Sequence, residues 1–86
     1  EIIRRDDGSL LVDGQCSFYE FLEYIDMECL YPEYDYNTIS GLILHLLEHI
    51  PHTGEKISWH ELEFEIVDMD GARIDKILVY SKKHDK

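Results

Sequence analysis

Basic residues, cysteines and long apolar runs are all scarce in this sequence, and each scarcity closes off a class of function. Eight Lys plus Arg stand against 19 Asp plus Glu, a formal net charge of -11 over 86 residues. A surface of that sign repels a phosphate backbone and an anionic lipid headgroup, so neither nucleic acid nor direct lipid binding is expected. The two cysteines, Cys16 and Cys29, are too few for a disulfide framework and match neither CxxC nor a Cys/His metal pattern. Free, partly buried thiols in a reducing compartment are the simpler reading. No stretch approaches the roughly 20 apolar residues of a membrane helix, and no apolar signal region follows a basic start. The chain itself is therefore expected to be soluble. Its start at Glu1 without Met and its polar end, Ser81 to Lys86, read as a segment cut from a longer protein. Neither the P-loop pattern nor the dinucleotide-binding glycine pattern occurs, so a standard phosphate cradle is missing too.

What is present is the makings of a core. Apolar residues are 44% of the chain, with six Tyr, three Phe and one Trp, which is a globular composition despite the charge. A chain of this length forms one domain, residues 1–86, and buries only about 60 to 65% of its unfolded surface.

The order of elements follows from turns and periods. Ile2-Ile3-Arg4 and Leu10-Leu11-Val12 flank Asp6-Asp7-Gly8-Ser9, which has the turn chemistry of a short hairpin. After the Asp13-Gly14 turn, Ser17 and Glu20 have capping-box spacing, and Phe18, Phe21, Leu22 and Ile25 recur at helical intervals. Glu20, Glu23 and Asp26 mark the outer face of that helix. Met27 to Tyr36 has no period and reads as a loop, with Tyr31, Tyr34 and Tyr36 as a cover over the core or a partner surface. Asn37 or Thr38 caps a second helix whose stripe, Ile39, Leu42, Ile43, Leu46, Leu47 and Ile50, runs until Pro51 stops it. Gly41 inside it lowers helix propensity by about 1 kcal/mol relative to Ala, which points to a packing reason such as close approach of a strand. Strands follow at Ile57 to Trp59, at Leu62, Phe64 and Ile66 alternating with Glu61, Glu63 and Glu65, and at Arg73 to Tyr80. Asp70-Gly71 signals a hairpin between the last two. The sum is an α+β fold, a mostly antiparallel sheet with two helices.

Reactive constellations are few. His45-Leu46-Leu47-Glu48-His49 has the H-x-x-E-H order of inverted zinc proteases, in which His45 and His49 on one helix face would bind zinc and Glu48 would act as base. Such a site also needs a third ligand, a bound water and a cleft. Because the apolar stripe already occupies the other side of the helix, a solvated face is the preferred reading of the pair. Asp68 and Asp70 before Gly71 imitate part of a calcium loop, but its closing Glu is missing. A nucleophilic Cys16 or Cys29 would need His60 or His52 brought beside it by the fold.

The run Arg5 to Gly14, then Tyr36 to Leu44, Ile50-Pro51 with Gly54, Phe64 to Val67 and Asp70 to Ile74 together resemble the CorC/HlyC transporter-associated domain over nearly the whole chain. The resemblance implies a fold similar to a subdomain of the FAD-binding, PCMH-like oxidoreductases. It also implies a parent with an N-terminal transmembrane domain and a pair of CBS domains, at the cytoplasmic face of a bacterial inner membrane. Such parents are linked to magnesium and cobalt efflux, sodium/proton antiport or, by naming, hemolysin. The expected function is a non-catalytic regulatory domain that modulates ion transport through protein contacts, with the CBS pair, the transmembrane domain or a second copy in a homodimer as partner, and with no cofactor. The family's landmark residues map to Asp13, Gly14, Gly41, Pro51, Asp70, Gly71 and Arg73, all in scaffold roles. An adenine or flavin nucleotide sensor is the alternative, and metal binding through His45 and His49 the third.

Overall fold

Turn chemistry closes the first hairpin. The computed structural model describes residues 2–34 and 36–81, so the polar tail beyond Ser81 lies outside it. Strand β1, Ile2–Arg4, and strand β2, Leu10–Asp13, pair antiparallel with Ile3 opposite Leu11. Between them Gly8 takes φ 90°, and Asp7 Oδ1 accepts hydrogen bonds from the Ser9 backbone N–H at 2.9 Å and hydroxyl at 2.6 Å. This local carboxylate clasp is what short Asp and Ser side chains supply in turns.

Helix α1, Phe18–Tyr24, and helix α2, Ile39–Leu47, start side by side. Ser17 Oγ accepts the Glu20 N–H and Thr38 Oγ1 accepts the Gly41 N–H, each at 3.2 Å, which satisfies donors left open at both helix starts. An antiparallel bridge of Ser17 with Thr38 joins the two caps, with the Phe18 N–H donating to the Asn37 carbonyl and the Ile39 N–H to that of Cys16. Residues 28–33, expected as loop, form a 3₁₀ helix, Glu28–Glu33. Its Tyr31, with Tyr34 and Tyr36 after it, packs half-buried against the core, the cover of the two readings.

Strand β3, Lys56–Trp59, β4, Leu62–Asp70, and β5, Arg73–Ser81, complete a five-stranded antiparallel sheet in the order β1-β2-β5-β4-β3. The β4–β5 turn puts Gly71 at φ 65° in the first loop position, where glycine avoids a clash between Cβ and backbone. The β3–β4 turn is made by His60 and Glu61 at φ 51° and 66°, the mirror-image turn without the Asn or Gly it favours. Register slips at Val67 and again at Asp75, since Ile66 faces Ile77, Asp68 faces Lys76 and Met69 faces Ile74.

Alternation decides which side is dry. Val12, Phe64, Ile66, Ile74, Ile77 and Val79 of the sheet meet Phe18, Phe21 and Leu22 of α1 and Ile39, Leu42 and Ile43 of α2, all fully buried or nearly so. Each such side chain stabilises the fold by about 1.5 to 3 kcal/mol relative to exposure. The Phe21 and Phe64 rings meet edge to face at 6.1 Å, and Trp59 lies 5.9 Å from Phe18.

Two expectations are corrected. Helix α2 ends at Leu47 and not at Pro51, because Glu48 turns left-handed at φ 62° and donates its N–H to the Leu44 carbonyl. Ile50 is then 60% exposed, whereas Pro51 is buried in the following loop. Gly41 has no strand against it: an added Cβ would meet only Thr38 Oγ1 at 3.6 Å and Tyr36 Cβ at 3.7 Å, ordinary contacts.

Candidate functional site

Both helices lie on one side of the sheet, so the other side faces water, as antiparallel sheets permit. Register sets its pattern. Ile3, Leu11, Leu78, Glu65 and Lys56 form one row across all five strands, and Tyr80, Glu63 and Ser58 form the next across β5, β4 and β3. Ile3 is 55% exposed and Leu11, Leu78 and Tyr80 are half-buried, so the row begins apolar and turns acidic at β4.

A groove of about 300 Å³ opens on this face between Asp7, Ser9, Glu65, Leu78 and Tyr80. It adjoins a smaller hollow of about 150 Å³ bounded by Asp7, Gly8, Ser9, Tyr80 and Ser81. The hydrogen bonds from Ser9 hold the Asp7 carboxyl below the usual range for a carboxylate. Both of those bonds fall on Oδ1. Among the described residues neither Asp7 nor Glu65 makes an ion pair, although Lys56 stands opposite Glu65 in the register. Sequence reading reached Glu65 as part of a wet strand face and Asp7 as a turn residue. It missed the groove, because only the β2–β5–β4 register brings the two to either side of Leu78 and Tyr80.

The residues singled out from the sequence scatter. His45 lies on α2 with its ring 5.4 Å from that of Tyr36, whereas His49 lies past the helix end, its Nδ1 at the Leu47 carbonyl and its Nε2 at the Glu55 carboxylate. They do not share a helix face, since the helix stops between them. Among the described residues no three His, Cys, Asp or Glu side chains are placed to hold a metal ion. Cys16 is buried, which pushes its thiol pKa up and away from reactivity, and Cys29 is exposed. His60 faces the Tyr34 hydroxyl at 3.3 Å and His52 faces Glu55, so each has a contact other than a cysteine. Asp13 ends β2, with its carbonyl accepting the Cys16 N–H at 2.9 Å. Gly14 follows it against β5, its N–H donating to the Asp75 carbonyl at 2.9 Å and its own carbonyl accepting the Ser40 N–H at 3.1 Å. Asp70 and Arg73 clamp the Gly71 turn by an exposed ion pair at 3.3 Å. Among the described residues no helix is long and apolar enough to cross a membrane.

Comparison with known proteins places this geometry. The model of the CorC_HlyC family, described as a transporter associated domain, matches residues 3–83. A UPF0053 protein of Synechocystis is 44% identical over 81 residues, 92% of this chain and 18% of the relative. The polyamine export protein of Haemophilus influenzae is 33% identical over 91% of this chain, again 18% of its own length. The chain thus spans about a fifth of the curated relatives it matches. The transporter-associated domain of a Xylella fastidiosa Temecula1 hemolysin, solved in complex with Mg++ and Mn++, is 39% identical, superposes with a TM-score of 0.81 and covers 93% of this chain and 95% of that one. The chain belongs to the CorC_HlyC family of transporter-associated domains, accessory domains of transport proteins that are not enzymes.

Proposed function

We propose that this chain is the regulatory domain of a membrane-anchored cation exporter, placed on the cytoplasmic side, and that it acts by docking the open face of its sheet on the rest of its parent. The CBS pair, the transmembrane domain and a second copy of the domain are the partners this reading admits. One observation carries it: the row Ile3, Leu11 and Leu78 leaves apolar surface in water on a sheet whose other face already holds a complete core. Such a row, rimmed by charge, suits a protein contact better than a reaction. The exported cation is magnesium, cobalt or sodium by family resemblance, and the name of the Haemophilus relative adds polyamines to the class.

Regulation by docking requires that the contact be worth more in one transport state than in another, typically by about 1 to 3 kcal/mol. The test is the double variant Leu11→Asp, Leu78→Asp in the full-length parent, its fold checked through the fluorescence of the single, buried Trp59. Altered export or assembly with a folded domain is the expected result. If a parent lacking the domain assembles, transports and responds to cation load unchanged, the reading fails.

A further inference from the structure

We infer that a second copy of this chain binds along the outer edge of β1, strand against strand, to give a two-fold dimer. The contact is on the edge of the sheet and not on its open face, and it rests on the docking reading only for what assembly does to the parent. Backbone pairing carries the first step. The Arg5 N–H donates to the Ser9 carbonyl at 2.8 Å, so these two residues form a hydrogen-bonded pair. Alternation along an antiparallel ladder makes Ile3 and Leu11 the next such pair, and it turns the N–H and C=O groups of Ile2 and Arg4 away from β2. Strand β1 is the last in the sheet order, so no strand meets those groups on their own side. Such an edge is a template for another strand. Pairing with its own copy matches donor to acceptor when Ile2 faces the partner's Arg4, Arg4 faces the partner's Ile2, and Ile3 faces the partner's Ile3 across the axis.

Side chains on both faces fit that register. On the open face the exposed Ile3 meets its own copy, so the apolar row of Leu78, Leu11 and Ile3 continues into the partner's Ile3, Leu11 and Leu78. On the helix face Ile2 borders a hollow of about 310 Å³, shared with Cys16, Glu20 and Tyr24. The partner's Arg4 stands opposite Ile2 and enters this hollow. There the Glu20 carboxylate and the exposed Tyr24 ring take its guanidinium, by charge and by cation–π attraction. Among the described residues neither Arg4 nor Glu20 has an ion-pair partner within the chain, and the two-fold axis makes the exchange twice. Charge along the sequence favours the same edge. After Arg4 and Arg5 no Lys or Arg occurs until Lys56, so both helices belong to a stretch without one. The second copy supplies the cation that the helix layer lacks.

Sedimentation velocity of the purified chain over a wide concentration range measures the association, with the fold of each variant checked at Trp59. The expected result is a monomer–dimer equilibrium with a dissociation constant on the order of 100 μM, as suits an interface smaller than the standard size. Arg4→Glu and Glu20→Arg should each weaken it about tenfold, and the two together should restore it, because the pair is then reversed and no longer broken. Glu28→Arg, outside the hollow, should not weaken it. Ile3→Cys combined with Cys29→Ser should give a disulfide-linked dimer under mild oxidation, since facing Cα atoms of a non-hydrogen-bonded pair lie about 4.5 Å apart, within disulfide reach. A chain that stays monomeric up to about 1 mM, a dimer indifferent to both charge reversals, a folded double variant that does not reassociate, or no crosslink through Ile3→Cys overturns the edge pairing. So does a dimer lost in the Leu11, Leu78 variant but kept in Arg4→Glu, which moves the contact to the open face. A monomeric chain while the Leu11, Leu78 variant still alters export removes this inference alone. An edge dimer with that variant leaving export unaltered removes the docking reading alone.

Discussion

Gly14 and Ile74 meet backbone to backbone: a Cβ on Gly14 would lie 2.1 Å from the Ile74 carbonyl oxygen and 2.8 Å from its carbon. Nothing at that distance can move aside as a flexible side chain would. Gly14 also hands the sheet to the helices, through its N–H to Asp75 and its carbonyl from Ser40. Gly14→Ala should therefore cost about 3 kcal/mol, at the upper end of overpacking penalties, and lower the unfolding midpoint well beyond error.

Gly41→Ala should have the opposite sign. Space for the methyl exists in the first turn of α2, and alanine both favours helix and restricts the unfolded chain. The expected gain is about 0.5 to 1 kcal/mol, or roughly 4 to 8 °C per kcal/mol in a domain of this size. Thermal unfolding followed at Trp59 compares the two glycines directly. A stabilised Gly14→Ala or a strongly destabilised Gly41→Ala would contradict these packing assignments.

Glu48 sits where a helix prefers glycine. It closes α2 in a left-handed conformation, at φ 62°, which costs an L residue about 1 kcal/mol that glycine does not incur. Glu48→Gly should raise stability by roughly 0.5 to 1 kcal/mol. The same geometry separates His45 from His49, so titration with zinc or cobalt at neutral pH should give no tight, stoichiometric binding, before or after the substitution. Tight one-to-one binding lost in both His45→Ala and His49→Ala would restore the metal reading.

These positions also explain what the sequence could and could not convey. Period and turn chemistry located every strand and both helices, because Phe18, Phe21 and Leu22 or Ile39, Leu42 and Ile43 have one spacing that buries them all. The end of α2 was hidden because its stop is a glutamate in a glycine conformation, and Ile50 continued the apolar stripe of Leu46 and Leu47 past it. The 3₁₀ turn at 28–33 has too few residues for a period to register. Gly14 and Gly41 look alike in sequence, since the strand that crowds one of them arrives from 60 residues further on, at Ile74. The groove depends wholly on long-range register: Leu78 is opposite both Leu11 and Glu65, a fact of pairing that no local pattern encodes.

Glu55 ties the loop after α2 to its own start, with its carboxylate beside the His49 ring, at 3.3 Å from His52 Nδ1 and accepting the His52 backbone N–H at 3.2 Å. Burial pushes its pKa up, but the hydrogen bonds from His49 and His52 outweigh that, and the carboxyl ends below its ordinary value of 4.5. A carboxyl that is more acidic in the folded state stabilises the fold above its unfolded pKa, and that stability is lost as pH falls through the folded value. Glu55→Gln should accordingly lower the melting temperature at neutral pH, with the gap to the unsubstituted chain closing as pH falls from about 4.5 through the lower folded value, below which both side chains are uncharged. Asp7→Asn should show the same closing gap, since the Ser9 bonds depress that carboxyl in the same direction. A set of melting curves from pH 3 to pH 8 decides the matter. A gap that widens as the carboxylates protonate would mean that Glu55 is held by its shape and not by its charge.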